Sequence, residues 1–155
     1  MRRKDLRRFT AVFPDLAEAL RNSGVRRLLF AARPVRFETG TSLVQRGQLT
    51  GDLYLVLDGS VHLTADADRT AVLWTVGPGG SVGGSGFVDP GVAELYAVAA
   101  SPCTTLWLRH DQFVALAATE PRLVQALLDF LAVELLRSRD RLATLFSRLR
   151  MENLA

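Results

Sequence analysis

Between residues 35 and 109 the apolar residues come in short runs, each closed by Gly, Pro or Asp before a helix could complete three turns. That rhythm restricts this part of the chain to short strands joined by tight turns. Val35-Arg36-Phe37 is closed by Gly40, and Ser42–Gln45 by Gly47 and Gly51. Leu53–Leu57 and Ser60–Leu63 flank Asp58-Gly59, a dipeptide that accepts positive φ angles and predicts a type I′ hairpin turn. Ala71–Val76 leads into the glycine-rich stretch Gly77–Gly86, and Leu95–Ala100 is separated from Thr104–Arg109 by Ser101-Pro102. Strands recurring at roughly 8–12-residue spacing predict an antiparallel barrel or sandwich.

The flanks have the other period. Phe9, Val12, Phe13, Leu16 and Leu20 recur at helical spacing within residues 5–32, with Ser23-Gly24 as a stop signal and a second apolar run from Val25 to Ala32. Asp111 is placed to N-cap a short helix bearing Phe113, Leu116 and Ala117, and Pro121 opens a much longer one. The expected architecture is mainly β: an antiparallel, jelly-roll-like β-roll with N-terminal helices and a long C-terminal helix. Its parts are an N-terminal helical segment 1–34, the β-roll 35–110 and the C-terminal helices 111–155, together forming one domain. A chain of 155 residues is large enough to bury a core of its own.

Composition excludes several classes. The longest uncharged window, Thr70–Val88, contains six glycines and Pro78, so it cannot form a membrane-spanning helix. No apolar segment follows the basic start Arg2-Arg3-Lys4, so no secretory leader is expected and the protein is placed in the cytoplasm. Cys103 is the single cysteine, which leaves neither a disulfide framework nor a multi-cysteine zinc site. Residues 1–36 carry a net charge of +7, residues 37–120 of −6 and residues 121–155 of +2. Positive charge divided between two flanks around an acidic centre is not the single basic face of a nucleic-acid binder, and no direct nucleic-acid binding is expected.

The ordered set Phe37, Gly40, Leu43, Gly47, Leu53-Tyr54-Leu55-Val56, Gly59, Val61, Leu73, Gly77-Pro78-Gly79, Gly83, Val98, Ala100, Leu108, Phe113 and Leu116 resembles the cyclic-nucleotide-binding domain family. The likeness runs over about residues 15–145. It implies a sensor module of the kind found in catabolite-activator-type regulators, kinase regulatory subunits and cyclic-nucleotide-gated channels. It also implies a phosphate-binding cassette after the glycine-rich loop. There the family uses Phe-Gly-Glu, whose Glu holds the ribose 2′-hydroxyl, and then Arg-x-Ala-Ser/Thr-Val-x-Ala, whose Arg pairs with the cyclic phosphate.

This sequence departs at both chemical positions. The cassette here is Gly83-Gly84-Ser85-Gly86 followed by Glu94-Leu95-Tyr96-Ala97, with Gly84 where the Glu is expected and Glu94 where the Arg is expected. No Arg or Lys occurs from 70 to 108. At 4 Å and an effective dielectric near 20, a unit charge pair is worth about 4 kcal/mol before desolvation, so exchanging a cation for an anion is expected to abolish cAMP and cGMP affinity.

Other chemistries lack their residues. His62 and His110 are the only histidines, so no metal site is expected. Ser85 lies in Gly84-Ser85-Gly86, which is not a nucleophile elbow, and Cys103 has no neighbouring His in sequence. No catalytic residue and no cofactor is assigned, and the chain is expected not to be an enzyme. The long helix carries Leu128, Leu131, Leu135, Ser138, Leu142, Leu145 and Leu149 at alternating three- and four-residue steps, an a/d seam that predicts a parallel homodimer with Leu128, Leu131, Leu135, Leu142, Leu145 and Leu149 in its interface. The expected function is therefore a non-catalytic regulatory and dimerisation module with a degenerate cassette. Two other readings share the same residues: a sensor for another small ligand or a non-standard cyclic nucleotide, and the effector part of a transcription regulator without its DNA-binding module. A fused or partner domain is compatible with all three.

Overall fold

The computed structural model describes residues 1–154, apart from the side chains of Ser85 and Val88. The N-terminal segment is three helices: α1 (Arg3–Val12), α2 (Pro14–Glu18) and, after a 3-10 turn at Ala19–Arg21, α3 (Ser23–Ala31). Pro14 has no N–H to continue α1 and sits at the start of α2, where none is needed. Ser23-Gly24, expected to stop a helix, instead opens α3. The Asn22 side chain accepts from the N–H groups of Gly24 (2.9 Å) and Val25 (3.1 Å) and so caps the new helix. Gly24 is retained because α3 packs against the far end of the fold: a Cβ there would lie 2.7 Å from Cβ of Glu120.

Ten short strands follow: β1 (Arg33–Phe37), β2 (Ser42–Val44), β3 (Leu49–Thr50), β4 (Leu53–Asp58), β5 (Val61–Thr64), β6 (Val72–Val76), β7 (Ser81–Val82), β8 (Gly91–Val92), β9 (Tyr96–Ala99) and β10 (Cys103–Leu108). A one-turn helix, α4 (Gly84–Val88), interrupts them between β7 and β8. All pairings are antiparallel, in one sheet of order β1-β10-β4-β7, a second of order β2-β9-β5-β6 and a small β3-β8 ribbon. Pro34 lies within β1, at the edge of its sheet, where a missing donor is tolerated.

Asp58-Gly59 does not make a hairpin. β4 pairs with β10 and β7, whereas β5 pairs with β6 and β9, so this turn carries the chain from one sheet to the other. Gly59 alone takes a positive φ (81°), as a type I′ turn would not allow. Tertiary crowding explains the glycine: a Cβ would lie 2.2 Å from the Pro102 carbonyl oxygen, in the second sheet-crossing turn between β9 and β10.

The alternation along β4 divides the core. Leu53, Leu55 and Leu57 face the helices and join Phe9, Leu28, Leu106, Leu108 and Leu123. Val56 and half-buried Tyr54 point into the roll, against Val61, Val76, Ala97, Ala99 and Cys103. Burial first, and the nearby Asp58 carboxylate second, push the Cys103 thiol from 9.0 up to about 11. The neutral thiol is thus favoured in the fold, and its stabilising contribution, full below pH 9, is lost as pH climbs towards 11. At pH 8 iodoacetamide should alkylate the native chain about a hundredfold or more slowly than the unfolded one. Equal rates would show that the interior of the roll opens readily.

Two C-terminal helices complete the fold, α5 (His110–Ala117) and α6 (Pro121–Leu154). Asp111 is inside the first turn of α5 rather than its cap; Arg109 occupies the cap position and its side chain makes no capping hydrogen bond. The first N–H of the helix is satisfied from across the fold, where Asp52 Oδ1 accepts from His110 N at 3.2 Å. In α6 the buried residues are Leu123 and Leu127, near its start. No described helix is long and apolar enough to cross a membrane.

Candidate functional site

The glycine-rich stretch builds its own geometry. β7 pairs with β4 through Tyr54↔Val82 and Leu55↔Ser81, and the chain then turns at Gly83 with φ 92°. A Cβ on Gly83 would lie 2.4 Å from the Asp52 carbonyl oxygen, so only glycine lets the strand leave β4 this closely. α4 follows directly, and its Phe87 is fully buried against Phe113, with ring centroids 5.0 Å apart. His110 Nδ1 lies 2.5 Å from the Phe87 carbonyl oxygen, and Trp107 Nε1 donates to Asp52 Oδ2 at 2.9 Å. The segment is thereby tied to the start of α5 and to β10. The Asp52 charge adds to the effect of burial in holding the Tyr54 phenol above its ordinary value.

Between this segment, the β3-β8 ribbon and α6 lies a cavity of about 700 Å3. Gly83, Gly84, Gly86, Glu94, Leu95 and Ala97 line it. Tyr96 is not among its lining residues, and the side chain of Ser85 lies outside the described residues. Val44, Leu63, Trp74 and Val82 supply an apolar wall from the strands.

The fourth wall was not anticipated from the sequence. Leu131, Glu134, Ser138 and Arg141, on one face of α6 at three- and four-residue steps, close the cavity from the helix side. Leu131, assigned from the seam to a dimer interface, thus faces the cassette: its Cδ2 would lie 3.2 Å from a Cβ on Gly84. Glu134 fastens the helix in place. Its Oε2 accepts from Ser81 Oγ (2.8 Å) and Ser81 N (3.3 Å), and its Oε1 accepts from Arg137 at 2.8 Å. Arg137 also donates to the Gly79 carbonyl oxygen at 3.2 Å. Helical periodicity marked Leu131 and Ser138 but not Glu134 or Arg141, and nothing local says which partner a helix face meets.

The charges lining the cavity are Asp89, Glu94, Glu134 and Arg141. Asp89 and Glu94 are exposed, and Glu134 is engaged by Ser81 and Arg137. The cation comes from α6, not from the strands. Among the described residues no group of His, Cys, Asp and Glu is placed to hold a metal ion. His62 lies on β5 opposite Thr75 and Val98, and His110 is engaged with Phe87.

Comparison with known proteins follows the same lines. A family model described as cyclic nucleotide-binding domain matches residues 34–120. The N-terminal domain of a transcriptional regulator from Streptomyces coelicolor A3(2) superposes with a TM-score of 0.65 and 27% identity, covering 81% of this chain and 91% of that one. A cyclic nucleotide-binding domain from Methylobacillus flagellatus KT gives 0.75 at 21% identity, covering 90% and 85%. The catabolite activator protein of Thermus thermophilus gives 0.65 at 27% identity, and 86% of this chain corresponds to 63% of that longer one. Among curated proteins none matches the chain.

Proposed function

Because the chain belongs to the cyclic nucleotide-binding domain family, we propose that it is a non-catalytic regulatory and dimerisation module whose cassette no longer holds cAMP or cGMP. One observation carries this reading: Glu94 stands where the family places its phosphate-binding Arg, and no strand or loop of the roll brings a cation to the cavity. Gly84 likewise leaves no carboxylate for a ribose hydroxyl, and Leu131 crowds the space into which a longer side chain would extend. One of the similar structures is the N-terminal domain of a transcriptional regulator and another is a catabolite activator protein. The proposed role is an effector domain of that type, acting in the cytoplasm as a single unit spanning the whole chain. Its dimer forms along α6, where Leu128, Leu135, Leu142 and Leu149 recur every seven residues and are all exposed.

Titration calorimetry of the purified chain with cAMP and cGMP tests the cassette. No heat of binding is expected up to about 1 mM, far above the micromolar range in which a pocket with its charged fork intact would saturate. A micromolar Kd for either nucleotide overturns the reading. The cavity itself, within the size range of small-molecule sites, favours a second reading in which another ligand is sensed in the same place.

A further inference from the structure

We infer that the anion-binding group of this cavity has moved from the cassette to the long helix: Arg141 holds the negatively charged head of a small amphipathic organic anion whose apolar body fills the space between the roll and α6. The inference rests on the proposal above that the cassette holds no cyclic phosphate, and it identifies what the cavity takes instead.

Three observations support it. Arg141 is half-buried, and among the described lining residues it is the one cation. Its nearest acidic residue on the same face of α6, Glu134, is already bonded to Ser81 and Arg137, and no ion pair joins Arg141 to another described residue. A guanidinium partly removed from water with no acceptor is unfavourable until an acceptor arrives. Second, Trp74 lines the same cavity, and its indole N–H is buried without an acceptor. That N–H is closed off from the cavity, so Trp74 offers a ligand aromatic surface and Arg141 offers the charge. Third, Val44, Leu63, Leu131 and Leu135 give the cavity an apolar wall for the rest of such a molecule. The carboxylates of Asp89 and Glu94, on the cassette loop and not on the helix, disfavour a second negative charge and accept from a hydroxyl or amine. The ligand class is therefore a monoanion: one carboxylate, sulfonate or phosphodiester head on an apolar or aromatic body.

The probe is 8-anilinonaphthalene-1-sulfonate, an aromatic monoanion, with the uncharged N-phenyl-1-naphthylamine as its control. Both are titrated by fluorescence into the full chain, whose leucine seam is the same in every variant compared and so contributes equally to each. Arg141→Gln should weaken the sulfonate about tenfold or more, as loss of a charge-assisted bond requires, and leave the neutral analogue unchanged. Arg141→Lys should recover part of the loss. Arg148→Gln, an exposed arginine of the same helix away from the cavity, should change neither. Equal weakening of both probes by Arg141→Gln, no weakening of the sulfonate, or an equal effect of Arg148→Gln overturns the inference. Adding cAMP to the same assay separates the two readings. If cAMP displaces the sulfonate, the loss of nucleotide binding is refuted; if that displacement disappears in Arg141→Gln, the assignment of Arg141 stands on its own.

Discussion

Leu142→Glu is expected to convert a two-fold dimer into monomers while leaving the β-roll folded. Leu128, Leu135, Leu142 and Leu149 of α6 recur every seven residues with exposures of 53%, 70%, 47% and 52%; Leu136 and Leu154 are exposed as well, outside that repeat. Leu131 and Ser138, at the alternate positions of the seam, are half-buried on the cavity side. Leu128, Leu142 and Leu149 are thus exposed away from the cavity, and Leu135 lines it while staying largely exposed. Full burial of a leucine is worth roughly 1.5–3 kcal/mol, so covering the exposed half of eight side chains in a dimer yields about 6–12 kcal/mol, comparable with a rigid-body association cost of about 4–15 kcal/mol. Such a balance is easily tipped. The substitution removes two leucines and sets two carboxylates against each other, which should raise the dissociation constant by about a hundredfold or more. Light scattering at about 100 micromolar reads the result. A monomeric wild type would refute the seam, and an unchanged dimer in the variant would place the interface elsewhere. Near-identical melting of the β-roll in both shows that the change is confined to association.

Gly59→Ala should destabilise the fold far more than Gly47→Ala, although the two glycines have nearly the same φ, 81° and 85°. The left-handed conformation costs any residue with a Cβ about 1–2 kcal/mol, and both variants bear that cost. A Cβ at Gly47 meets nothing within 4 Å. At Gly59 it meets the Pro102 carbonyl oxygen at 2.2 Å and Cys103 Cα at 2.8 Å, both backbone atoms of the other sheet-crossing turn. Relief requires the two turns to separate, and the start of β10 moves with them. A further cost of about 2–3 kcal/mol is a large share of the 5–15 kcal/mol that holds a domain together, and should lower Tm by about 5–12 °C beyond the loss in Gly47→Ala. Equal drops in thermal melting would mean that the turns are not in contact in solution.

Individual residues show where the sequence was legible. The strand zone and the long helix opening at Pro121 could be read directly, because periodicity and proline position are properties of the chain itself. Asp58-Gly59 misled because a glycine forced by contact with Pro102 leaves the same mark as one forced by a hairpin. Ser23-Gly24 misled because Asn22 supplies the cap and Glu120 the close contact that keeps position 24 small. Asp111 misled because a carboxylate far away in the chain, Asp52, satisfies the helix start.

The sequence by itself determined the class of the fold, its flanking helices, the lack of Arg and Lys between residues 70 and 108 and a long helix with a leucine-rich stripe. These depend on local spacing and on which residue types are present. Only the tertiary structure decided that the seam divides, with Leu131, Leu135 and Ser138 lining the cavity beside Arg141, and Leu128, Leu142 and Leu149 exposed away from it. It alone also decided that Ser81 and Arg137 engage Glu134 and that Arg141 is the one cation among the described lining residues of the cavity. The physical reason is that a helix presents every side of itself equally to its own sequence. Which side meets a sheet is settled by contacts between residues some fifty positions apart, such as Ser81 with Glu134, and these carry no local signature.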